Sequence, residues 1–237
     1  MRDTFLFDLD GTLLPMDMDK FIELYFYEMS KHFHDMIDGR VLAKHIWNST
    51  EATAKDLDPR PNEEKFMKYF AKALGIDDLT EYRRRFDHFY EERFDRVKKC
   101  VVEMPIVKES VDLLKEKGYN LVIATNPIFP IKAVHKRIEW AGLNVQDFSY
   151  ISSYEKNNYC KPHLYFYNEV LDAIGKDPEE CYMVGNDVQE DLIVEKIGME
   201  TFLITDFMIN AGNQKIVSHH KGDYQDFYNF VKSLEVA

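Results

Sequence analysis

The stretch Thr4–Leu14, TFLFDLDGTLL, is the most informative part of the chain. Its first half, Thr4 to Leu9, is aromatic and aliphatic over the length of a strand, and Asp10-Gly11 then interrupts the run, which predicts a buried first strand ending in a turn. Asp8 and Asp10 stand two residues apart on extended backbone, so their side chains share a face. Acids inside an apolar stretch also spoil it as the core of a signal peptide.

Beyond this stretch the hydrophobic period changes along the chain. From about Asp17 to Lys99 it is almost wholly helical: Phe66, Tyr69, Phe70 and Ala73, then Tyr82, Phe86, Phe89, Tyr90 and Phe94, fall at three- and four-residue spacing. From Val107 the pattern alternates. A helix to Lys117 stops at Gly118, a strand comes next at Asn120–Ala124, then a helix at Pro130–Ala141 and a strand near Phe148–Ser152. The alternation continues with a helix over Pro162–Ile174, a strand at Cys181–Val184, a helix over Val188–Ile197 and a strand at Thr201–Ile204. Asp206–Gly222 is polar and irregular, and Tyr224–Leu234 reads as a closing helix.

Alternating strands and helices predict an α/β fold, a doubly wound parallel sheet covered on both faces. The simplest topology joins residues 1–14 to residues 105–237 as one domain and inserts residues 15–104 as a helical second domain. Pro15 and Pro105 are natural hinges, because each fixes its own φ and disfavours helix in the residue before it.

Composition narrows the function classes. The 237 residues carry 30 basic and 42 acidic side chains, a net charge of −12 that repels a phosphate backbone, so nucleic acid is not an expected partner. Mean hydropathy is −0.41 and no run approaches the roughly 18 apolar residues of a membrane span. The three cysteines, Cys100, Cys160 and Cys181, are odd in number and widely spaced, as in reduced thiols of a cytoplasmic protein rather than a disulfide framework.

In a doubly wound sheet, ligands bind outside the carboxyl ends of the strands. The residues there are Asp8, Asp10, Gly11 and Thr12 after the first strand and Thr125-Asn126 after the second. Lys161 falls at the start of the Pro162 helix, and Gly185-Asn186-Asp187 comes after the Cys181 strand, with Asp191 one turn on. One carboxylate can attack while its neighbour exchanges a proton. Three crowded carboxylates call for a hard cation, and oxygen ligands suit Mg²⁺. A hydroxyl, an amide and an ammonium, from Thr125, Asn126 and Lys161, can hold phosphoryl oxygens.

With these motifs in order, the chain resembles the haloacid dehalogenase superfamily of phosphohydrolases. Asp8-Leu9-Asp10-Gly11-Thr12 matches that family's DxDGT motif, Thr125 its lone Ser/Thr, Lys161-Pro162 its lysine motif, and Gly185-Asn186-Asp187 with Asp191 its acidic motif. Leu164 stands where the lysine motif commonly has a second proline. The resemblance implies an α-helical cap of the C1 type at residues 15–104 and a Mg²⁺-dependent hydrolysis of a small phosphorylated metabolite through an aspartyl-phosphate. It implies Asp8 as nucleophile and Asp10 as general acid and base. As metal ligands it implies the Asp8 carboxylate, the Asp10 main-chain carbonyl and Asp187, with Thr125, Asn126 and Lys161 on the phosphate. A phosphomutase would use the same residues, and a phosphate-binding subunit without activity would not need the Asp8–Asp10 pair. A dehalogenase would leave Asp10 unexplained. For Asp191 three readings stand: support of the metal site, partner to Lys161, or an exposed helical acid.

Other conspicuous residues read as ordinary. Arg83-Arg84-Arg85 forms a solvated basic edge, His219-His220 sits in a polar loop, and Trp47, Trp140 and the methionines belong to the core.

Overall fold

The computed structural model describes residues 2–237. Its centre is strand β1 (Thr4–Phe7), flanked by β2 (Asn120–Ile123) and β4 (Cys181–Gly185), with β3 (Tyr150–Ile151), β5 (Glu200–Ile204) and β6 (His220–Gly222) completing a six-stranded sheet. All pairings are parallel, in the order β3-β2-β1-β4-β5-β6. Strand order reverses between β1 and β4, so the crevice that doubly wound sheets offer to ligands opens where Asp8 and Asn186 leave the sheet.

Alternation along β1 explains the layers. Phe5 and Phe7 point to one face, where they pack with Leu121, Ile123 and Val184 beneath α5 (Pro105–Glu116), α6 (Ile131–Trp140) and α8 (Tyr224–Ser233). Leu6 points to the other, with Val122 and Met183 beneath α7 (Leu164–Ile174). Both faces are therefore apolar, which is why the strands read as continuous hydrophobic runs.

Between β1 and α5 the chain forms only helices: α1 (Met18–His32), α2 (Gly39–Lys55), α3 (Asn62–Leu74), α4 (Thr80–Glu92) and a 3₁₀ turn over Phe94–Cys100. Their inner faces are aromatic, with Tyr25, Phe89, Tyr90 and Phe94 in edge-to-face pairs. The same cluster runs into the sheet layer, Phe21 against Phe129 at 6.0 Å and Phe94 against Trp140 at 4.9 Å. Polar ties close the seam. Asn62 donates to the Pro127 carbonyl at 3.2 Å, and the fully buried Lys65 donates to the Asp56 and Asn158 carbonyls.

The α/β class and the parallel sheet are as expected, and several details differ. Val188–Ile197 is not one α-helix: only Leu192–Ile197 is helical, as 3₁₀, because the Asp187 carboxylate caps the Gln189 and Glu190 amides in a tight turn first. The polar segment 206–222 ends in a sixth strand, where the His220 imidazole lies 2.7 Å from Glu200 and stacks on Phe202. Trp47 is not core. The buried stripe of α2 is Leu42, Ile46, Ser49 and Thr53, and Trp47 falls one position off it, 55% exposed. Met208, in the loop after β5, is likewise exposed. All three cysteines are buried and unpaired. No helix of the described residues is long and apolar enough to cross a membrane.

Candidate active site

Asp8 is the first residue beyond β1, and its amide still donates to the Val184 carbonyl, so the backbone is held by β4 as it leaves the sheet. The chain then turns sharply: the Leu14 amide donates to Leu9 and that of Gly11 to Leu14. Gly11 has φ +82°, and a Cβ there would meet the Asn186 side chain at 2.3 Å. Glycine is required on both counts. Asn186, 2% exposed, uses that space: its amide donates to the Phe207 carbonyl at 2.7 Å and its oxygen accepts from the Thr12 hydroxyl at 3.1 Å. The DxDGT turn and the loop after β4 are thus clamped to each other.

Lys161 is buried between two carboxylates. Its ammonium lies 2.9 Å from Asp8 Oδ1 and 2.7 Å from Asp191 Oδ1. Burial alone would lower the ammonium, but Asp191 and Asp8 outweigh it and hold its pKa well above the ordinary lysine value. Lys161 does not open a helix as expected; α7 begins at Leu164, and the two acids hold the ammonium ahead of it. Asp191 is 1% exposed, and its second oxygen accepts from the Asp187 amide at 2.9 Å. Burial raises its carboxyl above the usual range while Lys161 pulls the other way. A Cβ on Gly185 would collide with that carboxylate at 2.1 Å, so this glycine is what lets Asp191 reach the site. Of the three readings of Asp191, the exposed acid is excluded: it is the partner of Lys161, and it also braces the amide of Asp187.

Asp187 turns one oxygen to the Gln189 and Glu190 amides at 2.7 and 2.9 Å. Asn126 donates to both oxygens of Glu190, at 3.1 and 3.2 Å, while its own Oδ1 is buried without a partner. Its donor is thus committed to Glu190 rather than free for an anion. Burial pushes the Glu190 carboxyl up to about 7. Thr125 is buried, and its carbonyl accepts from the Ser152 hydroxyl at 2.7 Å.

The residue that sequence reasoning missed is Arg137. It is 1% exposed, pairs through Nη1 with Asp10 Oδ2, and lies over the Phe129 ring at 4.4 Å. One signal was present: Arg137 occupies a position on the buried stripe Ala133, Val134, Ile138 of α6, where an arginine needs a partner. Asp10 Oδ1 and Arg137 Nη2 are buried and unpartnered. Burial raises the Asp10 carboxyl above the ordinary aspartate value, against the pull of Arg137 and with help from Asp8.

The cluster therefore joins the carboxyls of Asp8, Asp10, Asp187, Glu190 and Asp191 with two cations, Lys161 and Arg137. The excess of negative charge fits a divalent cation. No three His, Cys, Asp or Glu side chains among the described residues form a metal cage. Mg²⁺ needs none, since it takes one or two carboxylates and keeps several waters. Asp8, Asp187 and the Asp10 carbonyl would suffice.

Residues 2–194 match the family model described as haloacid dehalogenase-like hydrolase. Over 199 residues the chain is 25% identical to pyrophosphatase PpaX of Anoxybacillus flavithermus, covering 84% of this chain and 81% of that protein. Among solved structures, a HAD phosphatase from Thermococcus onnurineus superposes with a TM-score of 0.63 at 17% identity, covering 99% of this chain and all of that one. The HAD-hydrolase YfnB from Bacillus subtilis, bound to magnesium, gives 0.60 at 17% identity, over 98% of this chain and 99% of that one.

Proposed function

The chain belongs to the haloacid dehalogenase-like hydrolase family, and on that basis we propose that it is a phosphatase that hydrolyses phosphate monoesters through an aspartyl-phosphate on Asp8. The observation that carries this reading is the pairing of Asp8, oriented by Lys161 at 2.9 Å, with an Asp10 carboxyl whose pKa burial raises. One group suits attack and the other suits proton delivery.

An Asp8 oxygen attacks phosphorus in line as the bond to the leaving oxygen breaks, and Asp10 gives that oxygen its proton. Asp10 then takes a proton from water, the resulting hydroxide attacks the aspartyl-phosphate, and orthophosphate leaves with Asp8 restored. Lys161 balances charge on the phosphoryl oxygens, with Thr125 and Asn126 beside it, Asn126 exchanging Glu190 for the phosphoryl group. Asp8, Asp187 and the Asp10 carbonyl would hold Mg²⁺, which would supply neutralisation of the phosphoryl charge. The pyrophosphatase relative and the magnesium-bound neighbour support this chemistry. Helices α1–α4 act as the cap that covers the site and meets the leaving group.

The test is trapping of the intermediate. Wild-type protein incubated with a ³²P-labelled ester and quenched in acid should carry acid-stable, hydroxylamine-labile label, and Asp8→Asn should carry none and turn over below about 1% of wild type. Normal turnover by Asp8→Asn would remove Asp8 from the role.

A further inference from the structure

We infer that the ester accepted by this chain carries a bulky, apolar alcohol. The inference rests on the phosphatase reading and supplies what that reading leaves open, the class of leaving group. A cavity of about 540 Å³ lies between the inner faces of the helices α1–α4 and the loop after β2. That volume is in the range of small-molecule sites. Its wall is largely apolar and rich in rings, among them Phe21, Tyr25, Phe26, Phe66 and Phe129.

Two wall residues connect the cavity to the candidate active site. Asn126 lines it and hydrogen-bonds to Glu190 of the carboxylate cluster. Phe129 lines it and lies beneath Arg137, the partner of Asp10. An ester with its phosphoryl group at Asp8 would therefore extend its alcohol along these phenyl faces, with the bridging oxygen toward Asp10.

The chemistry of the wall selects the alcohol. Among the described residues that line the cavity there is one acid, Glu51, and no Lys, Arg or His. A second phosphoryl group or a carboxylate on the leaving group would be desolvated beside Glu51 with no cation to pair it. A polyol would find few partners, Thr50, Tyr154 and the Asn126 oxygen, and would lose water from its other hydroxyls against carbon. The Tyr25 and Tyr90 hydroxyls do not help, because they are spent on each other at 2.8 Å. An apolar chain gains about three- to four-fold in binding per buried methylene. Nor is the space a sealed core void: Trp47 and Glu51, both in the wall, are exposed.

The experiment measures kcat/KM for n-alkyl phosphates from ethyl to octyl, with pyrophosphate alongside, in Mg²⁺. The expected result is a rise of about three-fold per methylene until the cavity is full, with pyrophosphate below the long-chain esters. Filling variants on two turns of α2, Ala54→Trp and Thr50→Phe, should raise KM for octyl phosphate more than for ethyl phosphate. A flat series, or pyrophosphate preferred over octyl phosphate, would overturn the inference while leaving the phosphatase reading intact. Should no ester be turned over, the phosphatase reading fails, and the cavity is then judged by calorimetric titration with 2-naphthol. Saturable binding weakened at least ten-fold in Ala54→Trp supports an apolar site, and no binding overturns it.

Discussion

Arg137, fully enclosed in α6, forms an ion pair with Asp10, a residue 127 positions earlier in the chain. The pair fixes the direction of the carboxyl proposed to move the proton, and the guanidinium is itself fixed by the Phe129 ring beneath it. This geometry suits Arg137 to positioning the acid.

Arg137→Met should cost about 3 kcal/mol in stability, the low end for stranding one member of a buried pair, because Asp10 keeps some contact with solvent. Urea denaturation measures it. A merely structural role predicts equal loss of kcat on all esters. Positioning predicts a larger loss on alkyl than on aryl phosphates, with partial recovery in Arg137→Lys.

Asp10→Ala should lose about 10² to 10⁴ in the first chemical step with an alkyl phosphate and distinctly less with nitrophenyl phosphate, whose leaving group needs no proton. Since Asp10 also activates water, the aryl substrate should give a burst of nitrophenol and an accumulating phosphoenzyme. Rapid-mixing kinetics showing equal losses and no burst would leave Asp10 without the acid-base role.

Chelation with EDTA should silence the enzyme and Mg²⁺ should restore it, because Lys161 and Arg137 alone do not balance the carboxyl cluster. Ca²⁺ should substitute poorly, as it takes six to eight looser oxygen ligands where Mg²⁺ demands a near-ideal octahedron. Full activity in excess EDTA, with no metal found by elemental analysis, would refute this.

A pH effect on stability is expected from His32 in α1. Burial lowers its pKa below 6.5, with His88, Arg93 and Arg85 adding to the fall against the Arg85 carbonyl contact at 3.1 Å. The unfolded chain then binds the proton more readily, so stability is full above about pH 6.5 and falls as pH drops from there toward the folded pKa. His32→Gln, which keeps a donor for that carbonyl, should flatten Tm between pH 7 and 5.5 relative to wild type. An unchanged slope would show that His32 does not titrate between the two states.

Local period and local chemistry were enough to establish the sheet and its rim. Apolar runs of strand length alternating with helical stripes required a parallel sheet, and the end of each run marked where Asp8, Thr125, Asn126 and Asp187 emerge. Partners across the chain were not legible in this way, because contact depends on how layers stack. The two sides of α2 differ by one residue, which left Trp47 exposed and Ile46 buried. A tight turn capped by Asp187 replaced the first half of an expected helix. Packing alone assigned Asp191 to Lys161 and Arg137 to Asp10. Packing alone also left an apolar cavity in the helical segment, its wall tied to Glu190 through Asn126. Buried charge must find its opposite within a few ångströms, and which residues meet at that distance is set by contacts between elements far apart in sequence.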